Sequence, residues 1–409
     1  MRERPGTPED AVQGVIPRLV LEPATVEEAA EALCRSAADR MAVTFVGGGT
    51  DLGLGGRPAR LDAVIRTGAL SRLVEHAPAD QVVTAEAGMT LGALREALAL
   101  HRQWLAIDPP FSGRATLGGV VAANAFGPRR ARFGSARDLV LGVSIVRADG
   151  AAAKGGGRVV KNVAGFDLPR LMVGSLGTLA LLTTVTFRVH PLPETRATVL
   201  FPALEAAQIW GLTSGWRAAQ LEPTSAAAIL DSDRFDLGVR LEGFESGVAD
   251  QTARLLDLGR KAGLAGERLG AAEAEGFWRR HDSVRENGSL RVKFSAPPSR
   301  LPDMARGWLP PVLGELSPSG AVLYPTLGIA FASGEPASSA AGLVAGLHDA
   351  RIAVIAAGGS LVLCEAPVAV RSAFDPWGTP PPAIDLMRSL KERFDPDRRL
   401  SPGRFVGGI

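Results

Sequence analysis

The chain is 409 residues long and 46% hydrophobic, enough to bury a large core and to divide into two or more domains. Its 45 basic and 43 acidic residues leave a formal net charge of +2, which gives no overall electrostatic footprint for nucleic acid or an anionic membrane surface. The two cysteines, Cys34 and Cys364, stand in no C-x-x-C pattern, which argues against an iron–sulfur or structural zinc site in this chain and for a reducing compartment.

At the start, "MRERPGTPEDAVQG" has no apolar run of the secretory kind, so no signal peptide is expected. Thr25 followed three residues later by Glu28 is a capping-box spacing, and Ala29, Ala30, Leu33 and Ala37 continue it at helical intervals from about Val26. The apolar run "MAVTFV" then predicts a strand, and "VGGGTDLGLGG" a glycine loop leaving it. Strands are expected in "DAVIRT" and "QVVTAEAG", followed by a helix over "TLGALREALALHRQ" with Thr90 as N-cap. The stretch from Ala106 to Asp138 is rich in Gly, Pro and small residues and reads as a functional loop system.

Asp149-Gly150 predicts a hairpin between two strands, and "LGTLALLTTVTFRVHPLP" another strand pair, ended by Pro191 and Pro193. Beyond about residue 196, strands in "TVLFPA", "FDLGVRLEGF", "LRVKFSAP" and "AVLYPTLGIAFA" alternate with helices in "VADQTARLLDLGRKAG" and "SSAAGLVAGLHDARI". That order suggests an antiparallel sheet covered on one side, a second α+β domain. A last helix is expected to end near Phe394. The longest apolar stretches, such as "LMVGSLGTLALLTTVTF", are interrupted by Gly, Ser and Thr and read as buried strands rather than a membrane span.

Common glycine motifs fail on inspection. A P-loop needs Gly-Lys-Ser/Thr where the chain has Thr50-Asp51-Leu52, and a nicotinamide-type fingerprint counted from Gly47 and Gly49 meets Leu52 instead of a third glycine. "VGSLG" has Val173 where a hydrolase elbow needs glycine, and the five histidines match no metal spacing. Two glycine loops remain, "VGGGTD" and "ATLGG", each beside a predicted strand. Either they are unrelated turns, or they hold the two phosphates of a pyrophosphate through backbone N–H groups, with Thr50 and Thr116 adding hydroxyl donors.

Taken with "DPPFSGRATLGGVVAANAFGPRRARFGSARDLVLGVSIVRADG", "KNVAGFDLPRLMVGSLGTLALLTTVTFRVHPLPE" and "FDPDRRLSPGR", these loops resemble the vanillyl-alcohol-oxidase family of PCMH-type FAD-binding proteins. The middle blocks are most similar to the E-subunit group of bacterial glycolate oxidases, although Ser360 stands where that group commonly has histidine. The resemblance implies an α+β fold with three parts. A PCMH-type FAD-binding domain of two α+β subdomains would span 1–195, an α+β cap domain on an antiparallel sheet 196–383, and a C-terminal segment returning to the FAD domain 384–409. It also implies FAD held by Gly47, Gly48, Gly49, Thr50 and Asp51 on one side and by Thr116, Leu117, Gly118 and Gly119 on the other. Pro110 and Asn124 would lie nearby, with Gly177, Thr178 and Leu179 as a strand-edge contact.

Relatives that bind FAD covalently do so through His or Cys near these loops, and neither type occurs between Cys34 and His76 or between His101 and His190, so non-covalent FAD is expected. The implied activity is that of an FAD-dependent oxidoreductase in glycolate catabolism. It would pass electrons from oxidation of a small 2-hydroxy acid to the 2-oxo acid toward an iron–sulfur partner, beside a second FAD subunit. The expected setting is cytoplasmic, with any inner-membrane contact made through the partners and with no nucleic-acid partner. Two other readings stay open: a stand-alone FAD oxidoreductase of another alcohol or hydroxy acid, and an assembly subunit with a vestigial flavin site. No catalytic residue is assigned and no metal is expected. The stretch "VLYPTLGIAFASG" lacks the histidines of metal-binding D-lactate dehydrogenases, Arg285, Arg291 and Lys293 read as a solvated face, and Arg129, Arg130 and Arg132 read as facing either phosphate or solvent.

Overall fold

The computed structural model describes residues 1–157, 166–216, 218–337 and 339–409. Part of the resembling block "GGGRVVKNVAGFDLP", residues 158–165, lies outside the described residues. The chain divides into two compact units: Met1–Gly127 with Gly134–Leu192 and Thr379–Ile409, and Pro128–Phe133 with Pro193–Gly378. The expected boundaries at 195 and 383 lie a few residues from these. The reading of the sequence did not foresee that six residues of the first segment, Pro128–Phe133, belong to the second unit.

In the first unit, a four-stranded sheet runs in the order Arg2–Pro5, Leu19–Glu22, Ala63–Arg66, Val43–Val46, the first pair antiparallel and the rest parallel. The helix Val26–Ala38 starts where the capping pattern places it, with Thr25 Oγ1 accepting from the Glu28 N–H at 3.2 Å. Its Ala29, Ala32 and Leu33 pack on Leu21, Val43 and Ile65, a layer that also takes Val146 and Leu181 from the unit's second sheet. That second sheet is antiparallel, in the order Leu73–Ala77, Val82–Glu86, Leu181–Arg188, Val140–Val146, Ala152–Gly156. Helices Leu91–Ala99 and Leu117–Ala123 close one core against it, each burying Leu or Val side chains at about 1.5–3 kcal/mol apiece.

The hairpin at Asp149-Gly150 is present, with Gly150 at φ +83°. The expected strand pair over 176–193 is instead one strand, Leu181–Arg188, followed by His190–Pro191 paired to Gln103–Trp104. Pro191 sits at the edge of that two-stranded ribbon, where a missing N–H is tolerated, and regular structure resumes at Thr195.

The second unit is an eight-stranded antiparallel sheet in the order Glu267–Arg268, Thr195–Leu204, Arg234–Gly243, Ser225–Asp231, Leu316–Tyr324, Ile329–Pro336, Leu290–Ser295, Ser360–Glu365. "AVLYPTLGIAFA" is therefore two strands with a turn at Gly328, φ +62°. Helices Ala206–Ser214, Glu245–Lys261 and Ala340–Ala356 fill one large core with the face carrying Val199, Leu237, Leu323 and Val292. The sheet is not covered on one side only. Helix Ala271–Glu286 lies on the opposite face, where Trp278 Nε1 donates to Thr198 Oγ1 at 3.1 Å and Phe277 fills the space above Gly238.

Candidate functional site

The first unit holds a cleft at the carboxyl end of its parallel strands. Three chain segments build it. The glycine loop leaves the carboxyl end of the parallel strand Val43–Val46, the segment Arg114–Gly119 enters helix Leu117–Ala123, and Leu176–Gly177 enters the strand Leu181–Arg188. Of the residues proposed from sequence, Gly47, Gly48, Gly49, Thr50, Asp51, Thr116, Gly118, Gly119 and Gly177 line it. Pro110, Leu117, Asn124, Thr178 and Leu179 do not.

The two glycine loops press on each other. A Cβ on Gly47 would lie 2.0 Å from Thr116 Oγ1, and one on Gly48 would lie 2.0 Å from the Arg114 carbonyl oxygen. Glycine is thus required at 47 by the Thr116 side chain, at 48 by close approach of the Arg114 backbone, and at Gly49, φ +71°, by conformation.

Donors are distributed unequally. The peptide N–H groups of Gly47, Gly48, Gly49 and Thr50 donate to no protein acceptor among the described residues. By contrast Leu117 N–H donates to the Met89 carbonyl at 2.9 Å and Gly118 N–H to the Ala87 carbonyl at 2.7 Å. Thr116 caps its helix, its Oγ1 accepting from Gly119 N–H at 3.4 Å. The second loop therefore forms a wall across from the first, which supplies the unspent donors, and the N–H groups of Leu117 and Gly118 are already bonded within the protein.

Leu117 and Leu179 are core residues, at 0% and 8% exposure. Thr178 spends its hydroxyl on the Ser175 carbonyl and its own carbonyl on Lys391 Nζ, each at 2.7–2.8 Å. Asn124 ends helix Leu117–Ala123 in the left-handed conformation, and its buried Oδ1 has no partner. Thr44 Oγ1, buried in a lining residue, has none either. Buried polar atoms left unpaired in this way cost stability unless a bound group satisfies them.

The sequence reading missed Thr44, Phe45, Leu52, Thr67 and Arg404 as lining residues. Arg404 stood in the "LSPGR" segment, but nothing in the spacing showed that the C-terminal segment folds back beside Val43. There Val43 N–H donates to the Arg399 carbonyl at 2.8 Å and Ser401 N–H to the Val43 carbonyl at 2.7 Å.

With that geometry in place, the known proteins it resembles are informative. Residues 17–155 match the family model of the FAD binding domain. This part of the chain is an FAD-binding domain. Over 208 residues, 50% of its length, the chain is 37% identical to glycolate oxidase subunit GlcE of Escherichia coli (strain K12), of which the match covers 54%. The chain is 35% identical to D-lactate dehydrogenase of Archaeoglobus fulgidus over 46% of this chain and 43% of that one. It is 30% identical to mitochondrial D-2-hydroxyglutarate dehydrogenase of Bos taurus over 55% and 41%. The chain thus spans about half the length, or less, of these relatives. Its fold is shared with solved alkyldihydroxyacetonephosphate synthase, with TM-score 0.73 at 18% identity over 96% of this chain and 78% of that one. A PCMH-type FAD-binding domain followed by a second α+β domain is the architecture of the chain.

The free N–H groups, the glycine cradle and the unpartnered Thr44 hydroxyl fit a diphosphate-bearing cofactor such as FAD.

In the second unit, Arg285 and Arg291, read as solvated, are buried and half-buried respectively. Arg285 is 8% exposed on helix Ala271–Glu286, stacked 3.6 Å from the Phe331 ring centroid and donating to Tyr324 Oη. His281 Nε2 meets the same phenol oxygen at 2.8 Å, and burial pushes the His281 pKa down, favouring the neutral ring. These groups satisfy one another and pin the helix to the sheet. Arg291 reaches Glu365 at 3.5 Å, and Arg129 pairs with the buried Glu242 at 3.0 Å, while the exposed Arg132 pairs with Glu222 at 2.7 Å on the solvent side. Among the described residues no cluster of three or more potential metal ligands is present, and no helix is long and apolar enough to cross a membrane.

Proposed function

We propose that the chain is an FAD-dependent oxidoreductase of 2-hydroxy acids, acting as the flavin subunit of a glycolate oxidase-like complex. The observation that carries the reading is chemical. Relatives matched at 30–37% identity are named for glycolate, D-lactate and D-2-hydroxyglutarate, three acids that share a hydroxyl next to a carboxylate. FAD supplies the two-electron acceptor for such a carbon centre. The residues of this chain do the holding. Gly47–Thr50 aim backbone N–H groups at the pyrophosphate, Thr44 and Thr116 add hydroxyls, and the packing of Gly47 on the Thr116 side chain and of Gly48 on the Arg114 backbone fixes the width of the cleft.

The lining residues include no His or Cys, which supports non-covalent FAD. We propose further that electrons leave toward an iron–sulfur partner beside a second FAD subunit. The name of the GlcE relative, a subunit, supports an assembly, and this chain's two separate cysteines cannot ligate a cluster by themselves. The test is an anaerobic visible spectrum of the purified chain with glycolate or D-lactate. The flavin band is expected to persist with the chain alone and to bleach when the partner subunits are added. Bleaching by the chain alone would instead favour a stand-alone enzyme, and a chain that stays colourless with FAD supplied would favour an assembly subunit.

A further inference from the structure

Past Gly47–Thr50, whose peptide N–H groups are unspent, the glycine loop runs on through Leu52–Gly56, whose carbonyls all accept side-chain hydrogen bonds. Gln13 Nε2 donates to the carbonyls of Leu52, Gly53 and Gly55 at 3.3, 3.1 and 2.9 Å. Arg404 donates to those of Leu52 and Leu54 through Nη2 at 2.9 and 2.8 Å, and to that of Gly56 through Nη1 at 3.2 Å. Five consecutive carbonyls, Leu52 to Gly56, are thus held by two side chains from opposite ends of the sequence. The Gly56 N–H returns a bond to the Arg404 carbonyl at 2.9 Å, and a Cβ on Gly55 would lie 2.4 Å from that same oxygen.

We propose that Gln13 and Arg404 are positioning residues that set the cofactor loop for its pyrophosphate. The inference rests on the reading that this cleft holds FAD. A loop with glycines at 53, 55 and 56 has peptide planes that rotate easily, and each rotation turns a carbonyl oxygen where an N–H stood. An oxygen facing phosphate repels it, so the value of the loop as an anion cradle depends on fixing the planes before the cofactor arrives.

Gln13 and Arg404 fix the five planes from Leu52 to Arg57, immediately after the unspent donors of Gly47–Thr50, and so anchor the return half of the loop. Gln13 itself is held in the left-handed region, φ +49°, in a turn closed by paired bonds between Val12 and Val15, a conformation that a non-glycine residue adopts at a cost. Arg404 is 4% exposed and reaches the loop from the C-terminal segment, so that segment becomes part of the cofactor site although it lies some 350 residues away in sequence.

The experiment is a fluorescence titration of FAD into flavin-free wild type, Arg404→Gln, Arg404→Lys and Gln13→Ala, with amide hydrogen exchange of the flavin-free proteins read at residues 47–56 and, as a reference, at the core strand Val82–Glu86. Arg404→Gln is expected to weaken FAD binding by about 10-fold or more, with Gln13→Ala weakening it less and Arg404→Lys, which keeps a multiple donor, recovering part of the loss. Exchange should quicken at 47–56 and stay unchanged at 82–86. If Arg404→Gln does not fold, Gln13→Ala, changed at a half-buried turn, carries the test. Variants that bind FAD within twofold of a wild type that binds it overturn the positioning role and leave the FAD reading standing. A wild type that takes up no FAD overturns the cofactor reading, and the positioning role with it.

Discussion

Gly48→Ala is expected to weaken FAD binding by about 10- to 100-fold, the affinity equivalent of about 1–3 kcal/mol of overpacking. The new methyl group would lie 2.0 Å from the Arg114 carbonyl oxygen and 2.9 Å from its carbon, and both contacts are to backbone that cannot swing aside. The two walls of the cleft must separate, which moves the free N–H groups of Gly47–Thr50 away from the phosphates they would meet. Gly49→Ala provides the comparison. Its Cβ meets only the flexible end of Leu52 at 3.6 Å, so its penalty is the left-handed backbone alone, about 1–2 kcal/mol. Isothermal titration of both variants with FAD, alongside far-UV circular dichroism to establish folding, checks the pair. Equal affinity of Gly48→Ala and wild type would mean that the cleft width does not govern cofactor binding.

The second large effect is on stability. Lys391 is 3% exposed on the helix Ile384–Phe394, and its ammonium donates to Asp395 Oδ2 at 2.7 Å and to the carbonyls of Thr178 and Leu400 at 2.8 Å each. Burial lowers its pKa from the ordinary lysine value, while the fully buried Asp395 carboxylate opposes that shift. Lys391→Ala leaves a buried carboxylate without its cation and two carbonyls without a donor. We expect a loss of about 3–5 kcal/mol in the first unit, seen as a fall in Tm of about 10 °C or more in thermal melts. The double variant Lys391→Met with Asp395→Leu should recover much of that loss, because an apolar pair removes the unpaired charge. Thr178 follows Gly177, which lines the cleft, so the melt also reports on the edge of the cofactor site. A single variant that melts with the wild type would show that this buried pair does not hold the C-terminal segment in place.

Local signals in the sequence were strong where backbone chemistry alone decides the outcome. Thr25 and Thr90 each cap a helix that begins at the next residue, and Asp149-Gly150 turns a hairpin. Glycines 47 and 48 pointed to a close approach, but the sequence could not show that the approaching groups were the Thr116 side chain and the Arg114 backbone. Helix Ala271–Glu286 escaped because its buried face carries His281 and Arg285 beside Phe277 and Trp278, so its apolar period is masked by polar residues that both reach Tyr324 on a distant strand. The strand Ser225–Asp231 is mostly alanine in its interior, a residue with little β preference, and is held by neighbours on both sides. Arg404 was invisible as part of the site. Its acceptors are backbone carbonyls far away in sequence, and no residue pattern encodes them.

The measurement that bears most directly on the account is an equilibrium titration of the flavin-free chain with FAD, followed by flavin absorbance and by a melt of the complex. The account predicts saturation at one FAD per chain, a band that is lost on denaturation because the flavin is not covalently attached, and a Tm that rises with FAD concentration. A chain that melts cooperatively yet neither saturates nor gains stability from FAD would contradict it.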